Sequence, residues 1–309
     1  MKSTREQRGP RLGPEKLRRA AQEMRAIAIT DIFAAGSGHP GGSLSIMDIA
    51  AALYLNVLNH DPSAPDWPDR DRVFWSAGHK APALYVALGR AGYFPLEDTA
   101  MLRQLGSRFE GHPNRAKLPG VEISSGSLGQ GLSIAVGSAL AAKLRGQAHR
   151  VYCLMGDGEQ QEGSVWEAVM AAAHHKLDNL CAIVDRNRLQ IDGWVRDVMD
   201  IDPIGLKYTS FRWNVIEVDG HSLEDILGAF AAAGQHRGEP TVIIAHTVKG
   251  KGVSITIRFA FLLRPGTIDA VAGVRNCLEA CGRDGLLALL AFAERAALDT
   301  VEGLGDFFQ

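Results

Sequence analysis

Short apolar runs that end in polar turns alternate along this chain with stretches of helical character. Residues 151–155 and 180–184 are apolar runs too short for a globular helix, and they predict strands. Residues 162–173 between them are rich in Ala, Glu, Met and Trp and predict a helix. Further strands are predicted at 73–75, 213–218 and 241–245, and further helices at 81–90 and 128–145. This alternation predicts an α/β fold, with a mostly parallel sheet and helices on both of its faces.

Several helix beginnings can be predicted from single residues. Pro14 suits the first turn of a helix, because its fixed φ is already helical and its missing N–H is not needed there. Ser45 with Asp48, and Ser222 with Asp225, have the spacing of a capping box, in which a hydroxyl begins the helix and an acid lies three residues on.

Polar groups follow the two predicted strands at their carboxyl ends. Asp157 lies between Gly156 and Gly158 after the first strand, and Asn187 follows the second. A crossover connection brings both ends to one edge of the sheet, where open α/β sheets bind ligands. The two side-chain oxygens, with a nearby backbone carbonyl, suit Mg²⁺ and a diphosphate. Glycines let the backbone approach a phosphate closely, although Gly-Asp-Gly alone also describes an ordinary turn.

Composition excludes several classes of function. The chain has 309 residues, 46% of them hydrophobic, and a formal charge of −2, so no basic field indicates nucleic-acid binding. No apolar run is long enough to predict a membrane span. Its four scattered cysteines predict reduced thiols and a cytoplasmic protein. Residues 1–13 are locally basic and are predicted to form a disordered tail.

The segments GDGEQQEGSVWEA and HHKLDNLCAIVDRNRLQIDG together resemble the thiamine diphosphate motif of transketolases. The resemblance is closest to the N-terminal subunit of two-chain transketolases, and it implies the diphosphate-binding fold of thiamine diphosphate enzymes. It also implies that Asp157, Asn187 and the carbonyl of Leu189 hold Mg²⁺, or Ca²⁺ or Mn²⁺ in its place. The cofactor contacts that it implies within these segments are Gly156, Asp157, Gly158, Glu159 and Asn187.

Three loop histidines lie in segments that match the same family in the same order: GSGHPGGSLS, DRVFWSAGHKAPALY and, later, GHP followed by PGVEISSGSLGQG. The resemblance implies that His39 and His112 contact the sugar and act as catalytic residues, while His79 contacts the diphosphate. Imidazole suits these tasks because it exchanges protons near neutral pH. The resemblance further implies that Gly126, Ser127 and Leu128 lie against the cofactor's aminopyrimidine.

The resemblance covers about residues 15–254 and then ends. A Trp-His-Gly segment, whose histidine touches cofactor and substrate in the family, is missing, and no histidine follows His246. We therefore predict a domain at 14–254 that binds thiamine diphosphate, and a segment at 255–309 that is either divergent or frame-shifted. A coding sequence without a Trp-His-Gly-like continuation in any frame would contradict the frameshift.

The pyrimidine-binding domain of transketolases, which supplies the carboxylate that activates the cofactor, is not present in this sequence. The resemblance therefore implies a second, C-terminal subunit, a heterotetramer, and an active site completed between subunits. The implied reaction is transfer of a two-carbon ketol unit from a ketose phosphate to an aldose phosphate. Two alternatives stay open: an enzyme fragment similar to deoxyxylulose-phosphate synthase, and a non-catalytic remnant that binds the cofactor or serves as a scaffold.

Overall fold

Five parallel strands form the central sheet of the structure, a computed structural model that describes residues 8–190 and 193–253. They run in the order β1, β2, β3, β7, β6 and comprise β1 (Arg72–Trp75), β2 (Val151–Gly156), β3 (Leu180–Arg186), β6 (Asn214–Asp219) and β7 (Thr241–His246). Two short strands, β4 (Leu189–Gln190) and β5 (Gly193–Trp194), pair separately and antiparallel. The sheet predicted at 73–75, 151–155, 180–184, 213–218 and 241–245 is confirmed, to within a residue or two at each end.

Helices cover both faces of this sheet, as predicted. They are α1 (Pro14–Ala34), α2 (Pro40–Ser45), α3 (Met47–Ala52), α4 (Ala81–Ala91), α5 (Gln130–Leu144), α6 (Gly163–His174), α7 (Val195–Met199), α8 (Ile204–Ser210) and α9 (Leu223–Gln235). Alternate side chains of β2 point to opposite faces: Tyr152 and Leu154 pack with α1, α3, α4 and α9, and Cys153 and Met155 pack with α5, α6 and α8. Because both faces are buried, the central strands are continuous apolar runs in the sequence.

The two capping boxes have different outcomes. Ser222 caps α9 as predicted, because its hydroxyl accepts a hydrogen bond from the Asp225 N–H at 3.2 Å. The prediction at Ser45 is wrong: Ser45 ends α2, and its buried hydroxyl donates to Asp185 at 2.6 Å. The spacing is present, but a carboxylate that is distant in sequence competes for the same hydroxyl.

The amino-terminal segment also differs from its prediction where it is described. Residues 8–13 lie against residues 53–57, the helical turn that follows α3. The Leu12 N–H donates a hydrogen bond to the Leu55 carbonyl at 3.0 Å. The Arg8 guanidinium lies 4.4 Å from the ring centre of Trp67. Hydrogen bonds and a cation–π contact thus order residues whose charge alone predicts a tail. Residues 1–7 and the predicted segment 255–309 lie outside the described residues.

Within the described ranges, no helix combines the length and the apolar character that crossing a membrane requires.

Candidate functional site

Asp157 and Asn187 lie at the carboxyl edge of the sheet, where β2 and β3 end side by side. The register pairs Gly156 with Asp185, so the residues that leave these strands are neighbours. Asp157 follows β2 directly, and Asn187 follows β3. The predicted convergence of these two side chains on one edge therefore holds, and it depends on the parallel pairing of the two strands.

The turn after β3 contacts the Asp157 carboxylate through its main chain. Arg188 adopts a left-handed backbone conformation with φ of 66°, which is unusual for a residue with a Cβ. Its N–H donates to the Asp157 carboxylate. The Leu189 N–H donates to the Asn187 side-chain oxygen at 3.1 Å, which fixes the amide of Asn187 in an Asx turn. Asn187, Leu189 and Asp157 are the three residues predicted to bind the metal. The main chain of Arg188, which lies between the first two, thus contacts Asp157.

The three loop histidines meet at one place. The ring centres of His39 and His79 are 5.7 Å apart, and those of His39 and His112 are 5.8 Å apart. Together with Asp157 and Asn187, these rings line a single cavity of about 410 Å³. Sequence spacing could not have placed them together, because the loop after α1, the turn after β1 and the loop after residue 106 carry one each.

Most of the other predicted site residues line the same cavity: Gly126, Leu128, Gly156, Gly158, Glu159 and Leu189. Ser127 is exposed and is not among the residues that line it. Gly78 explains how the 125–126 segment comes so close, because a Cβ there would lie 2.7 Å from the Ser125 carbonyl carbon. Only glycine allows this approach.

Glu159 is bound by the protein itself. One of its carboxylate oxygens accepts hydrogen bonds from the Ser76 hydroxyl and, at 2.8 Å, from the Gly129 N–H. The other accepts from the Gly156 N–H at 3.0 Å. This buried carboxylate therefore joins the ends of β1 and β2 to the start of α5. Glu159 was predicted to bind the cofactor, and both of its carboxylate oxygens have protein partners.

Burial determines the charge of the site. Desolvation, with the nearby Arg103 guanidinium as the next cause, lowers the pKa of His39 to about 4. Desolvation and then the Lys80 ammonium lower the pKa of His79 to about 3. Both rings are thus neutral at pH 7 and can each donate and accept one hydrogen bond. Desolvation and the Asp185 carboxylate raise the pKa of Asp157 to about 6, so the carboxylate form still predominates at pH 7.

Three charged residues of the site were missed from the sequence. Lys80 lines the cavity and forms a buried ion pair with Asp185. Lys249 lines the cavity and donates to the Leu189 carbonyl at 3.2 Å. A lysine among small residues directly after His79, and an acid that ends an apolar strand, were the available signals. Their partners are distant in sequence, so pairing could not be inferred.

The residues present fit a metal-bound diphosphate. A Cβ built on Gly156 would meet nothing within 4 Å, so the chain leaves room beside this backbone. The cavity combines a carboxylate, an amide oxygen and a carbonyl with two lysines. Over the described ranges, no three His, Cys, Asp or Glu side chains form a metal cluster by themselves. Such a mixed set suits Mg²⁺, which takes few protein ligands and keeps phosphate oxygens and water.

Comparison with known proteins finds the same domain. The family model described as "Transketolase, thiamine diphosphate binding domain" matches residues 17–258. The 6-deoxy-6-sulfo-D-fructose transketolase subunit SqwG of Clostridium sp. strain MSTE9 is 41% identical over 240 residues, which are 78% of this chain and 87% of that protein. The apulose-4-phosphate transketolase subunit of Phocaeicola vulgatus is 42% identical over 240 residues, 78% of this chain and 85% of that protein.

Solved structures agree in fold. A transketolase from Pichia stipitis superposes with a TM-score of 0.80 at 31% identity, over 86% of this chain but only 40% of the other. The transketolase of Campylobacter jejuni superposes with a TM-score of 0.77 at 30% identity, over 96% of this chain and 51% of the other. The chain therefore spans about half or less of these longer relatives, and most of each of the separately named subunits.

Proposed function

This chain belongs to the transketolase family, and we propose that it is the N-terminal, thiamine diphosphate-binding subunit of a two-chain transketolase. The proposed reaction is transfer of a two-carbon ketol unit from a ketose phosphate to an aldose phosphate. A single observation carries the proposal: three histidines with lowered pKa values, Asp157 and the Asn187–Leu189 turn line one cavity. No other cavity described at this edge of the sheet combines these groups.

We assign metal binding to Asp157, the side-chain oxygen of Asn187 and the carbonyl of Leu189. Hydrogen bonds from the Gly158 N–H, at 2.8 Å, and the Arg188 N–H hold the Asp157 carboxylate in place, so the ligand set is preorganised. The Lys249 ammonium donates a hydrogen bond to the Leu189 carbonyl, and we propose that a divalent ion displaces the ammonium when it binds there. When bound, thiamine diphosphate supplies the carbanion chemistry of the reaction.

The histidines are proposed to handle the sugar and the cofactor. His39 and His112 are partly exposed to the cavity, and their lowered pKa values leave them neutral. A neutral imidazole can donate its N–H to a sugar oxygen and accept from a hydroxyl, which orients a polyhydroxylated substrate. His79 lies deeper and is proposed to contact the diphosphate. The glycines at 156 and 158 are proposed to admit the phosphate oxygens.

The chain carries only one side of an active site under this proposal. A C-terminal subunit with the pyrimidine-binding domain would complete it, in a heterotetramer that acts in the cytoplasm. The two relatives named for sulfofructose and apulose phosphate transketolases favour a specialised ketose as donor. The alternative of a cofactor-binding remnant makes a different prediction: thiamine diphosphate would bind, but no partner would produce turnover.

The decisive experiment mixes this chain with a candidate C-terminal transketolase subunit from the same organism. A panel of ketose and aldose phosphates is supplied, with and without thiamine diphosphate and Mg²⁺, and the products are identified by mass spectrometry. Ketol transfer that needs both chains and both cofactors supports the proposal. Asp157→Ala should abolish it, while the exposed Asp66→Asn should not. Binding without turnover would favour the remnant, and the absence of cofactor binding would contradict both.

A further inference from the structure

Lys80 and Asp185 form the most deeply buried ion pair among the described salt bridges. Their side chains are 1% and 0% exposed, and the ammonium contacts one carboxylate oxygen directly. Burying two charges costs considerable desolvation free energy, and a pair of this kind is weak evidence for stability on its own. The position of the pair therefore calls for a reason beyond stability.

Asp185 holds the amide of Asn187. The Asn187 side-chain nitrogen donates to the Asp185 carboxylate at 3.2 Å, which leaves the side-chain oxygen of Asn187 on the other side. That oxygen is the one assigned to the metal. The Asp185 carboxylate is fixed in turn by the hydroxyls of Ser45, at 2.6 Å, and Thr247. A reversed amide would point two hydrogens at the metal and an oxygen at a carboxylate.

Lys80 connects this arrangement to the histidine loop. It follows His79 directly in a short 3₁₀ turn, so anchoring its ammonium on β3 also fixes the backbone that carries His79. Its aliphatic chain packs on α2, where a Cβ at Gly42 would lie 3.3 Å from the Lys80 Cε. One ion pair thus joins two of the loops that carry assigned cofactor or metal contacts, the His79 turn and the segment after β3.

We propose that Lys80 and Asp185 are a positioning pair that fixes the Asn187 amide and the His79 loop relative to each other, and thereby sets the affinity of the site for its divalent ion. This inference rests on the proposed function, because it needs Asn187 to be a metal ligand. Groups that orient a ligand in this way typically change metal affinity about 10- to 100-fold when they are replaced.

The test separates stability from metal affinity. Lys80→Met/Asp185→Asn removes both charges together, so neither is left buried without a partner. The Asn187 nitrogen then loses its carboxylate acceptor, and only the Leu189 N–H still orients the Asn187 amide. We expect its urea midpoint to stay near that of the wild type. We expect its dissociation constant for Mn²⁺, measured by electron paramagnetic resonance with thiamine diphosphate present, to rise about 10- to 100-fold. Lys80→Arg, which keeps the charge, should bind Mn²⁺ more tightly than the double variant.

A second ion pair, Arg70 with Glu122, provides the matched control. Its side chains are 12% and 11% exposed, and neither residue lines the cavity. Arg70→Met/Glu122→Gln should leave the Mn²⁺ dissociation constant within about twofold of the wild type, since no ligand is reoriented. Ser45→Ala is a milder variant, which removes one hydroxyl from Asp185 and should weaken Mn²⁺ binding in the same direction if the double variant does not fold.

Two outcomes would overturn the inference, and they differ in whether the proposed function survives. Wild-type Mn²⁺ affinity in the double variant, or in Ser45→Ala if only that protein folds, would show that the pair does not position the ligand. In that case the proposed function would stand. A wild-type chain that binds no Mn²⁺ even with thiamine diphosphate and the partner subunit present would remove the proposed function and the positioning role together.

Discussion

At the scale of single residues, glycines at the site have two different functions. Gly156 ends β2 and leaves its neighbourhood open, whereas Gly78 and Gly131 are required by close contacts within the protein. The distinction matters because a substitution at Gly156 should affect a ligand, while one at Gly131 should affect the fold. A Cβ at Gly131 would lie 2.6 Å from the Ser76 Cα, which cannot move without shifting the main chain.

Gly156→Ala is therefore expected to fold normally and to bind thiamine diphosphate with Mg²⁺ more weakly. The added methyl group would occupy the space proposed for the phosphate oxygens, and overpacking of this kind costs about 1–3 kcal/mol, or roughly 5- to 150-fold in affinity. Isothermal titration calorimetry measures the affinity. Gly228→Ala, on the exposed side of α9, is the control and should stabilise by about 0.5–1 kcal/mol without changing the affinity. Equal affinities in all three proteins would contradict the prediction.

Asp31, which does not line the cavity, also has an unusual protonation equilibrium. Burial in α1 raises its pKa to about 7, against the opposing effect of a hydrogen bond with the Thr99 side chain. Because the folded protein holds the proton more tightly than the unfolded chain, the carboxylate destabilises the fold above pH 7. This cost disappears as the pH falls through 7 towards the unfolded value near 4.

Asp31→Asn should consequently stabilise the protein at pH 8 relative to the wild type, by about 1–3 kcal/mol, and by less at pH 5.5. Urea unfolding at the two pH values measures the difference. The same pair of measurements on Asp66→Asn, in an exposed loop, is the control. A stabilisation by Asp31→Asn that is the same at both pH values would show that the carboxylate does not titrate in this range.

At the scale of elements, local capping and distant partners compete for the same side chains. Ser222 caps α9 with its hydroxyl. Ser45 has the same sequence context, yet the Asp185 carboxylate takes its hydroxyl, and Ile46 begins α3 without a side-chain cap. The capping box therefore predicts a helix start only where tertiary contacts leave the hydroxyl available to the main chain.

Ser222→Ala is expected to destabilise the protein by about 1 kcal/mol, because the Asp225 N–H loses its acceptor at the start of α9. The change should appear as a lower urea midpoint with an unchanged slope. Ser133→Ala, on the exposed face of α5, replaces a serine with a better helix former and should leave the midpoint equal or slightly higher. A Ser222→Ala midpoint equal to that of the wild type would show that the cap contributes nothing.

At the scale of the whole molecule, the cavity couples ligand binding to stability. It draws on α2, the turn before α4, the entry to α5 and the ends of β2, β3 and β7, so a ligand there holds together segments that are far apart in sequence. Thiamine diphosphate with Mg²⁺, at about 100 times its dissociation constant, should stabilise the chain by about 2.7 kcal/mol. Differential scanning calorimetry measures this as a higher melting temperature.

The same measurement with EDTA provides the control for the metal. Without a divalent ion, the diphosphate would meet the Asp157 carboxylate, and like charges repel. We therefore expect little or no stabilisation by thiamine diphosphate in EDTA. Equal stabilisation with and without Mg²⁺ would contradict the assignment of Asp157 and Asn187 to a metal.

The sequence alone determined the order and type of the main elements. Each buried parallel strand is a short apolar run, and the helices between them are longer stretches rich in residues that favour helices. It also determined that Asp157 and Asn187 share an edge, since parallel pairing leaves strand ends no other arrangement. Local order thus follows from periodicity, and the family motif adds the chemistry expected of those residues.

Only the tertiary structure decided which distant groups meet. It brought the rings of His79 and His112 to 5.7 and 5.8 Å from that of His39, paired Lys80 with Asp185, and gave the Ser45 hydroxyl to that carboxylate rather than to a helix. It also gave both oxygens of Glu159 to the protein. Contacts of this kind form because burial makes an unpaired polar group costly, and burial depends on how the whole chain packs.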